Sequence, residues 1–347
     1  NSDTQSWGYG VAPKTEKEFL QRLEGQINAI LDLKDQVWGY CYTQLTDVEQ
    51  EQNGVYYYDR TPKFDTQLIH DIFSKNPEDL EGTYSNPLSN YGPDPWALWY
   101  DGSYYYMHTM VDSLVLWKTK DITDVRNAEK KTIWIPTDPS NKHNLWAPEI
   151  HNIQGKWYIY YAADDGNSDN HQMYVLENAN KDPFEGEFVM KGRISTDKDN
   201  NWAIDGSVFE HKGELYMVWS GWQTRRVDTE TQCIYIARLE NPWTLGSERV
   251  LISKPELEWE RHYINETGWN PPHKVFVNEG PQPLKSPKGK YIHVVYSASG
   301  VWTPYYALGM LTADTDADLL DPASWRKAPA PLFRQSPENG VYGTGHN

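Results

Sequence analysis

The rhythm of hydrophobic and polar positions changes once along this chain. Between Thr15 and Leu33, Phe19, Leu20, Leu23, Ile27, Ile30 and Leu31 recur at spacings of three and four, which predicts an amphipathic helix. Gln36-Val-Trp-Gly-Tyr-Cys-Tyr-Thr43 reads as a buried strand. Asp65 to Lys75 reads as a second helix with Leu68, Ile69 and Ile72 on one face. A helix–strand–helix order predicts a short α/β segment over residues 1–80. After Asn86, short aromatic strands alternate with Gly, Asp and Asn turns.

The second rhythm repeats. Tyr100-Asp-Gly-Ser-Tyr-Tyr-Tyr106, Asn152-Ile-Gln-Gly-Lys-Trp-Tyr-Ile-Tyr-Tyr161, Glu210-His-Lys-Gly-Glu-Leu-Tyr-Met-Val-Trp219 and Ser286-Pro-Lys-Gly-Lys-Tyr-Ile-His-Val-Val-Tyr296 are hairpins with glycine at the tip. The tips are Gly102, Gly155, Gly213 and Gly289, so successive tips lie 53, 58 and 76 residues apart. Short strands repeated at such a period predict propeller blades, because one blade cannot bury both faces alone. Blades are expected at about 90–135, 145–195, 202–253 and 278–333, with a fifth beginning at Tyr342 and incomplete at Asn347. A β-sandwich competes for the same strands, but it does not repeat a hairpin at this length.

Carboxylates hold a fixed place in the repeat. Asp94 and Asp205 each precede their hairpin tip by eight residues, Glu279 by ten and Glu149 by six. Alone, each reads as a turn former or strand-end cap. In register, they predict that the inner strands of successive blades carry their acids to one channel mouth. Like charges gathered in one pocket resist ionisation, which is useful where one acid must stay protonated while another stays ionised. Glycoside hydrolysis needs such a pair, an acid for the leaving oxygen and a base for water.

Composition narrows the class further. The chain of 347 residues has 49 acidic and 32 basic side chains, a net charge of −17, which disfavours nucleic acids and anionic membranes as partners and suits neutral sugars. Aromatics make up 14% of it, with 16 Trp and 24 Tyr, equally expected of a β-rich core and of sugar-stacking surfaces. Two cysteines, Cys41 and Cys233, imply neither a disulfide framework nor a Cys-based metal site. No apolar run reaches the roughly 20 residues of a membrane span. No export signal is visible, and the first residue is Asn1, so the native start is expected to be missing or processed.

Tyr91-Gly-Pro-Asp-Pro-Trp96, Trp146-Ala-Pro-Glu149, Trp202-Ala-Ile-Asp-Gly-Ser-Val208, Asn278-Glu-Gly-Pro-Gln-Pro283 and the terminal Gly343-Thr-Gly-His-Asn347 occur in that order. With them, residues 84–347 resemble glycoside hydrolase family 43. The resemblance implies a five-bladed β-propeller with inverting chemistry on arabinofuranosyl and xylosyl linkages. It implies Asp94 as general base, Glu279 as general acid, and Asp205 as the residue that raises the acid's pKa and orients it. Inversion leaves room for water, so the Asp94 and Glu279 carboxyls are expected roughly 6.5–9.5 Å apart. His346 is expected near the channel centre, with a Ca²⁺ or Na⁺ as candidate ligand, and no cofactor is required. Trp146, Glu149, Trp222, Arg225, Arg226 and His346 are candidate substrate contacts, and a lone histidine is equally a hydrogen-bonded core residue.

An exo-acting α-L-arabinofuranosidase leads, with β-xylosidase and endo-arabinanase as alternatives on the same acids. A non-catalytic carbohydrate-binding propeller would lack one of those acids, and a protein-interaction propeller would have neutral strand starts. Trp7-Gly-Tyr-Gly10, Glu18-Phe-Leu and Gly39-Tyr-Cys-Tyr-Thr-Gln-Leu-Thr-Asp-Val-Glu-Gln50 with Tyr58-Asp-Arg60 resemble the last strand and flanking helices of a glycoside hydrolase family 2 (β/α)₈ barrel. That resemblance implies a piece of a larger multi-domain glycosidase. The family 43 resemblance implies a secreted or periplasmic bacterial setting.

Overall fold

The computed structural model describes residues 13–34, 36–49, 51–77, 84, 86–224 and 230–346. The chain divides into two compact units, residues 1–90 and 91–347.

In the first unit, helix α1 spans Glu16–Leu31 and α2 spans Thr66–Phe73. The Thr15 side chain caps α1 by accepting from the Glu18 N–H, and Glu16 and Glu18 suit the positive end of the helix dipole. Leu23 and Ile27 of α1 pack with Val55 and with Ile69 and Ile72 of α2, and Phe19 stacks on Phe64 at 4.2 Å between centroids. Leu68, expected on the buried face of α2, is 47% exposed. The strand expected at Gln36–Thr43 does not form: the segment pairs with no strand and Trp38 is 97% exposed. An extended run becomes a strand only when a neighbour takes its backbone groups. Among its described residues the unit supplies only the isolated bridges Thr46–Tyr56, Val48–Glu51 and Tyr56–Pro62.

The second unit is all-β. Its strands fall into four consecutive meanders. The first contains β1 (Trp96–Tyr100), β2 (Ser103–Met107), β3 (Leu114–Thr119) and β4 (Glu129–Trp134). The second contains β5 (His143–Ile153), β6 (Lys156–Asp164), β7 (Gln172–Asn178) and β8 (Val189–Ile194). The third contains β9 (Ala203–His211), β10 (Glu214–Trp222), β11 (Glu230–Asn241), β12 (Thr244–Leu245) and β13 (Val250–Ser253). The fourth contains β14 (Val275–Lys285), β15 (Tyr291–Ala298), β16 (Ala307–Asp314) and β17 (Arg326–Lys327). These limits follow the four expected blades closely. A short parallel pairing of β11 with β14 joins the last two meanders.

Three of the β-hairpin tips, Asp101-Gly102, Gln154-Gly155 and Lys212-Gly213, have positive φ at both residues, as two-residue turns that match strand twist require. The first strands lie side by side in the order β1, β5, β9, β14. Between meanders, aromatic and aliphatic faces interlock. Tyr105, Met107, Leu116, Trp157 and Tyr161 form one cluster, and Tyr160, Met173, Trp202, Met217 and Trp219 form the next. This is the blade-on-blade burial of a β-propeller. No strand forms among the described residues after Tyr342; the isolated bridges Leu308–Phe333 and Ser336–Val341 precede it.

Candidate active site

Three of the four first strands, β5, β9 and β14, break their ladder where they carry a site residue, and Asp94 lies just before β1. On β5 the register shifts between Trp146 and Glu149, across Ala147-Pro148. On β9 it shifts across Asp205-Gly206, and on β14 across Gly280-Pro281. Proline cannot donate to a ladder, and a bulge re-aims the neighbouring side chain. Asp94, Asp205 and His346 all have left-handed backbone, with φ of +54°, +55° and +54°. Such strain in residues other than glycine persists only where surrounding contacts over-determine it, typically at functional sites.

These devices bring Asp94, Asp205, Glu279 and His346 into one cavity of about 340 Å³, within the size range of small-molecule sites. Trp146, Trp202, Trp222, Trp302 and Tyr306 supply much of its wall. The acids differ in setting. Asp205 and Glu279 are buried, at 4% and 9% exposed. The Asp94 carboxylate is about a quarter open to water, at 26% side-chain exposure. Its Oδ2 accepts from the Thr109 hydroxyl at 2.5 Å, and that hydroxyl accepts from the Ala147 N–H at 2.7 Å. Its Oδ1 lies 3.2 Å from Nδ1 of His346.

Burial pushes Glu279 up to about 8, and the neighbouring Asp205 charge adds to the rise although the Tyr306 hydroxyl opposes it by donating to Oε1 at 2.7 Å. Burial also raises Asp205, against the attraction of His346. Asp205 Oδ2 accepts from the N–H of Gly280 at 2.9 Å. Asp205 therefore holds the backbone next to the acid as well as facing its carboxyl. Burial works against charge on His346, but Asp205, Asp94, Glu279 and Glu149 outweigh it and raise its pKa. Its backbone N–H donates to the Ser297 hydroxyl at 2.8 Å, and Nδ1 lies 3.4 Å from the Tyr306 oxygen.

The remaining expected residues separate. Trp146 lines the cavity and stacks on His171 at 3.8 Å between centroids. The His171 ring is itself fixed, with Nδ1 2.9 Å from the Ser168 carbonyl and Nε2 3.0 Å from that of Asn144. Trp222 is the last residue of β10 rather than a loop residue, is 4% exposed, and stacks on Trp202 at 5.1 Å. Glu149 is not among the cavity-lining residues. Its oxygens meet Gln282 Nε2 and His151 Nε2, each at 2.9 Å, which makes it a brace between β5 and β14. Arg225 and Arg226 lie outside the described residues.

The ion expected at His346 finds no cage. Among the described residues no group of three or more His, Cys, Asp and Glu side chains is set to hold a metal. The Nδ1 of His346 is already engaged, 3.2 Å from Asp94 Oδ1.

Tyr306, Thr109, Gln232 and Trp302 are site residues the sequence reading did not reach. They come from a third strand (Gln232) and from inter-strand loops (Thr109, Trp302 and Tyr306), where no motif marks them. Trp202 had its signal in Trp202-Ala-Ile-Asp205. Gln232 sits in β11 between Trp222 of β10 and Val277 of β14. Its Oε1 is buried and has no hydrogen-bond partner among the described residues.

Residues 84–347 match the family Glycosyl hydrolases family 43. An extracellular exo-α-(1→5)-L-arabinofuranosidase of Streptomyces chartreusis is 35% identical over 270 residues, covering 76% of this chain and 77% of that protein. An α-L-arabinofuranosidase B of Pyricularia oryzae is 32% identical, over 76% of this chain and 52% of that protein. The chain thus spans about half the length of some curated relatives it matches. The crystal structure of an α-L-arabinofuranosidase from Lactobacillus brevis is 36% identical, covers 76% of this chain and 80% of that one, and superposes with a TM-score of 0.68. With its acids, bulged strands and motifs all in one cavity, this chain belongs to glycosyl hydrolases family 43.

Proposed function

We propose that the chain is an exo-acting, inverting α-L-arabinofuranosidase. The observation that carries it is the pairing of a buried, proton-holding Glu279 with a water-accessible Asp94 in one cavity. Glu279 gives its proton to the glycosidic oxygen as the bond from the anomeric carbon breaks. Asp94 takes a proton from the water that attacks the opposite face, so the configuration inverts. The imidazole of His346 and the phenol of Tyr306 stand between the two carboxyls. Asp205 keeps the acid protonated and its backbone in place.

The sugar ring is set against Trp146 and Trp222, with an open acceptor at Gln232 for one hydroxyl. Residues 84–347, which contain the second unit, are the catalytic domain, and a five-blade count follows the family resemblance. The extracellular relative supports a secreted enzyme, and among the described residues no helix is long and apolar enough to cross a membrane. A second glycosidase domain rests on the motifs of residues 7–75 alone.

The test is release of p-nitrophenol from the α-L-arabinofuranoside and the β-xyloside, with Glu279→Gln as control. Turnover of the arabinofuranoside by the wild type and not by the variant upholds the reading. Preference for the xyloside converts it to a β-xylosidase. Turnover by Glu279→Gln equal to wild type overturns the acid.

A further inference from the structure

The connection between β13 and β14, residues 254–274, is longer than those before β5 (135–142) and β9 (195–202). It is tightly bonded to the loop that follows β15, residues 299–306. Gly300 N–H donates to the His262 carbonyl at 2.8 Å, and Ser299 N–H to that of Glu260 at 3.2 Å. The indole N–H of Trp302 donates to the Tyr263 carbonyl at 2.8 Å, and the Asn265 amide donates to the Trp302 carbonyl at 2.6 Å. The Trp302 ring packs over Gly300, where a Cβ would lie 2.4 Å from ring atoms. The two loops therefore make one fixed wall, and Trp302 is its face toward the cavity.

This wall stands on the acid's side. Glu279 pairs with Ser297 across β14 and β15, and Tyr306, which donates to Glu279, comes from the same loop as Trp302. Asp94 and its donor Thr109 belong to the first meander instead. In an inverting hydrolysis the leaving group adjoins the acid and the water adjoins the base. The leaving group's path runs past Trp302. One ring further out stands Trp269, 66% exposed, edge-on to Trp302 at 5.9 Å between centroids. An exposed indole fixed against a pocket-lining one is a platform with an apolar face left open.

We infer that Trp302 and Trp269 form a leaving-group platform for a chain of sugars, Trp302 under the first residue beyond the cleaved bond and Trp269 under the second. This rests on the assignment of Glu279 as the acid. The platform makes the natural substrate an oligosaccharide or polysaccharide end rather than a single glycoside.

The test compares wild type, Trp269→Ala and Trp269→Phe on p-nitrophenyl α-L-arabinofuranoside, α-1,5-arabinobiose and α-1,5-arabinotriose. Trp269→Ala is expected to lower kcat/KM for the triose about tenfold, the effect of uncovering roughly 50 Å² of apolar area, and to leave the other two within about twofold. Trp269→Phe, which keeps a ring, stays near wild type. An unchanged triose value, or equal losses on all three substrates, overturns the platform. If the wild type cleaves no arabinofuranoside, the arabinofuranosidase reading falls. The platform is then judged by the same ratio on p-nitrophenyl xyloside, xylobiose and xylotriose, because stacking needs a sugar face rather than one particular sugar.

Discussion

At the scale of single residues, the site works by giving like groups unlike surroundings. Glu279 and Asp205 are both raised by burial; the Asp205 charge adds to the rise of Glu279, and Asp94 and Glu149 add to that of Asp205. Removing the Asp205 charge with Asp205→Asn takes away one of the causes that lift Glu279. The alkaline limb of kcat/KM is therefore expected to move to lower pH, which a pH–rate profile reads directly. The same shifts predict a stability effect. A carboxyl whose folded pKa lies above its unfolded value stabilises the fold at low pH, and that contribution is lost as pH rises through the folded pKa. For Glu279 the window runs from the ordinary glutamate value of about 4.3 up to about 8. Glu279→Gln is expected to raise the melting temperature at pH 8 and change it little at pH 4, by calorimetry. Gln232 offers a third check. Its oxygen is already unpaired, so Gln232→Met costs no internal hydrogen bond. It is expected to lower kcat/KM about tenfold with an unchanged or higher melting temperature. A lower melting temperature with unchanged kinetics would assign it to the core instead.

At the scale of elements, β14 matters most, since it carries the acid and a bulge together. It is anchored from behind by Glu260, which is fully buried. Glu260 accepts from Lys327 at 2.8 and 3.0 Å, from the Tyr296 hydroxyl at 2.8 Å, and from the Asn278 amide at 3.1 Å. Asn278 immediately precedes the acid and also meets Ser253 and Ser220. Removing one member of a buried ion pair leaves the other charge uncompensated. Lys327→Met is expected to cost about 3–5 kcal/mol of stability in urea unfolding, and the double variant Glu260→Gln/Lys327→Met to recover part of it. The strands themselves were legible because each hairpin carries its turn chemistry locally. The bulges were half legible: Pro148 and Pro281 announce a broken ladder, whereas the shift across Asp205-Gly206 has no proline to mark it. The strand expected at Gln36–Thr43 failed because composition supplies propensity and only a neighbour supplies pairing.

At the scale of the whole molecule, every residue lining the cavity comes from the second unit. Residues 84–347 produced alone are therefore expected to hydrolyse p-nitrophenyl α-L-arabinofuranoside with kcat/KM within about twofold of the full chain. A larger loss would show that residues 1–83 act on the site. The acidic surface, at a net charge of −17, fits an enzyme whose substrate carries no charge.

By itself, the sequence determined the repeat, the limits of the four meanders and the family, and it singled out the three acids whose roles are proposed here. All of these are written in local spacing, turn residues and short motifs. The tertiary structure decided which acid holds its proton, because that depends on burial and on charges brought from other strands. It placed Tyr306 and Thr109 on the carboxyls, turned Glu149 into a brace, lined the cavity with Trp302 and set Trp269 against that ring. Each of those relations joins residues far apart in the chain, and no local pattern encodes a distance across a fold.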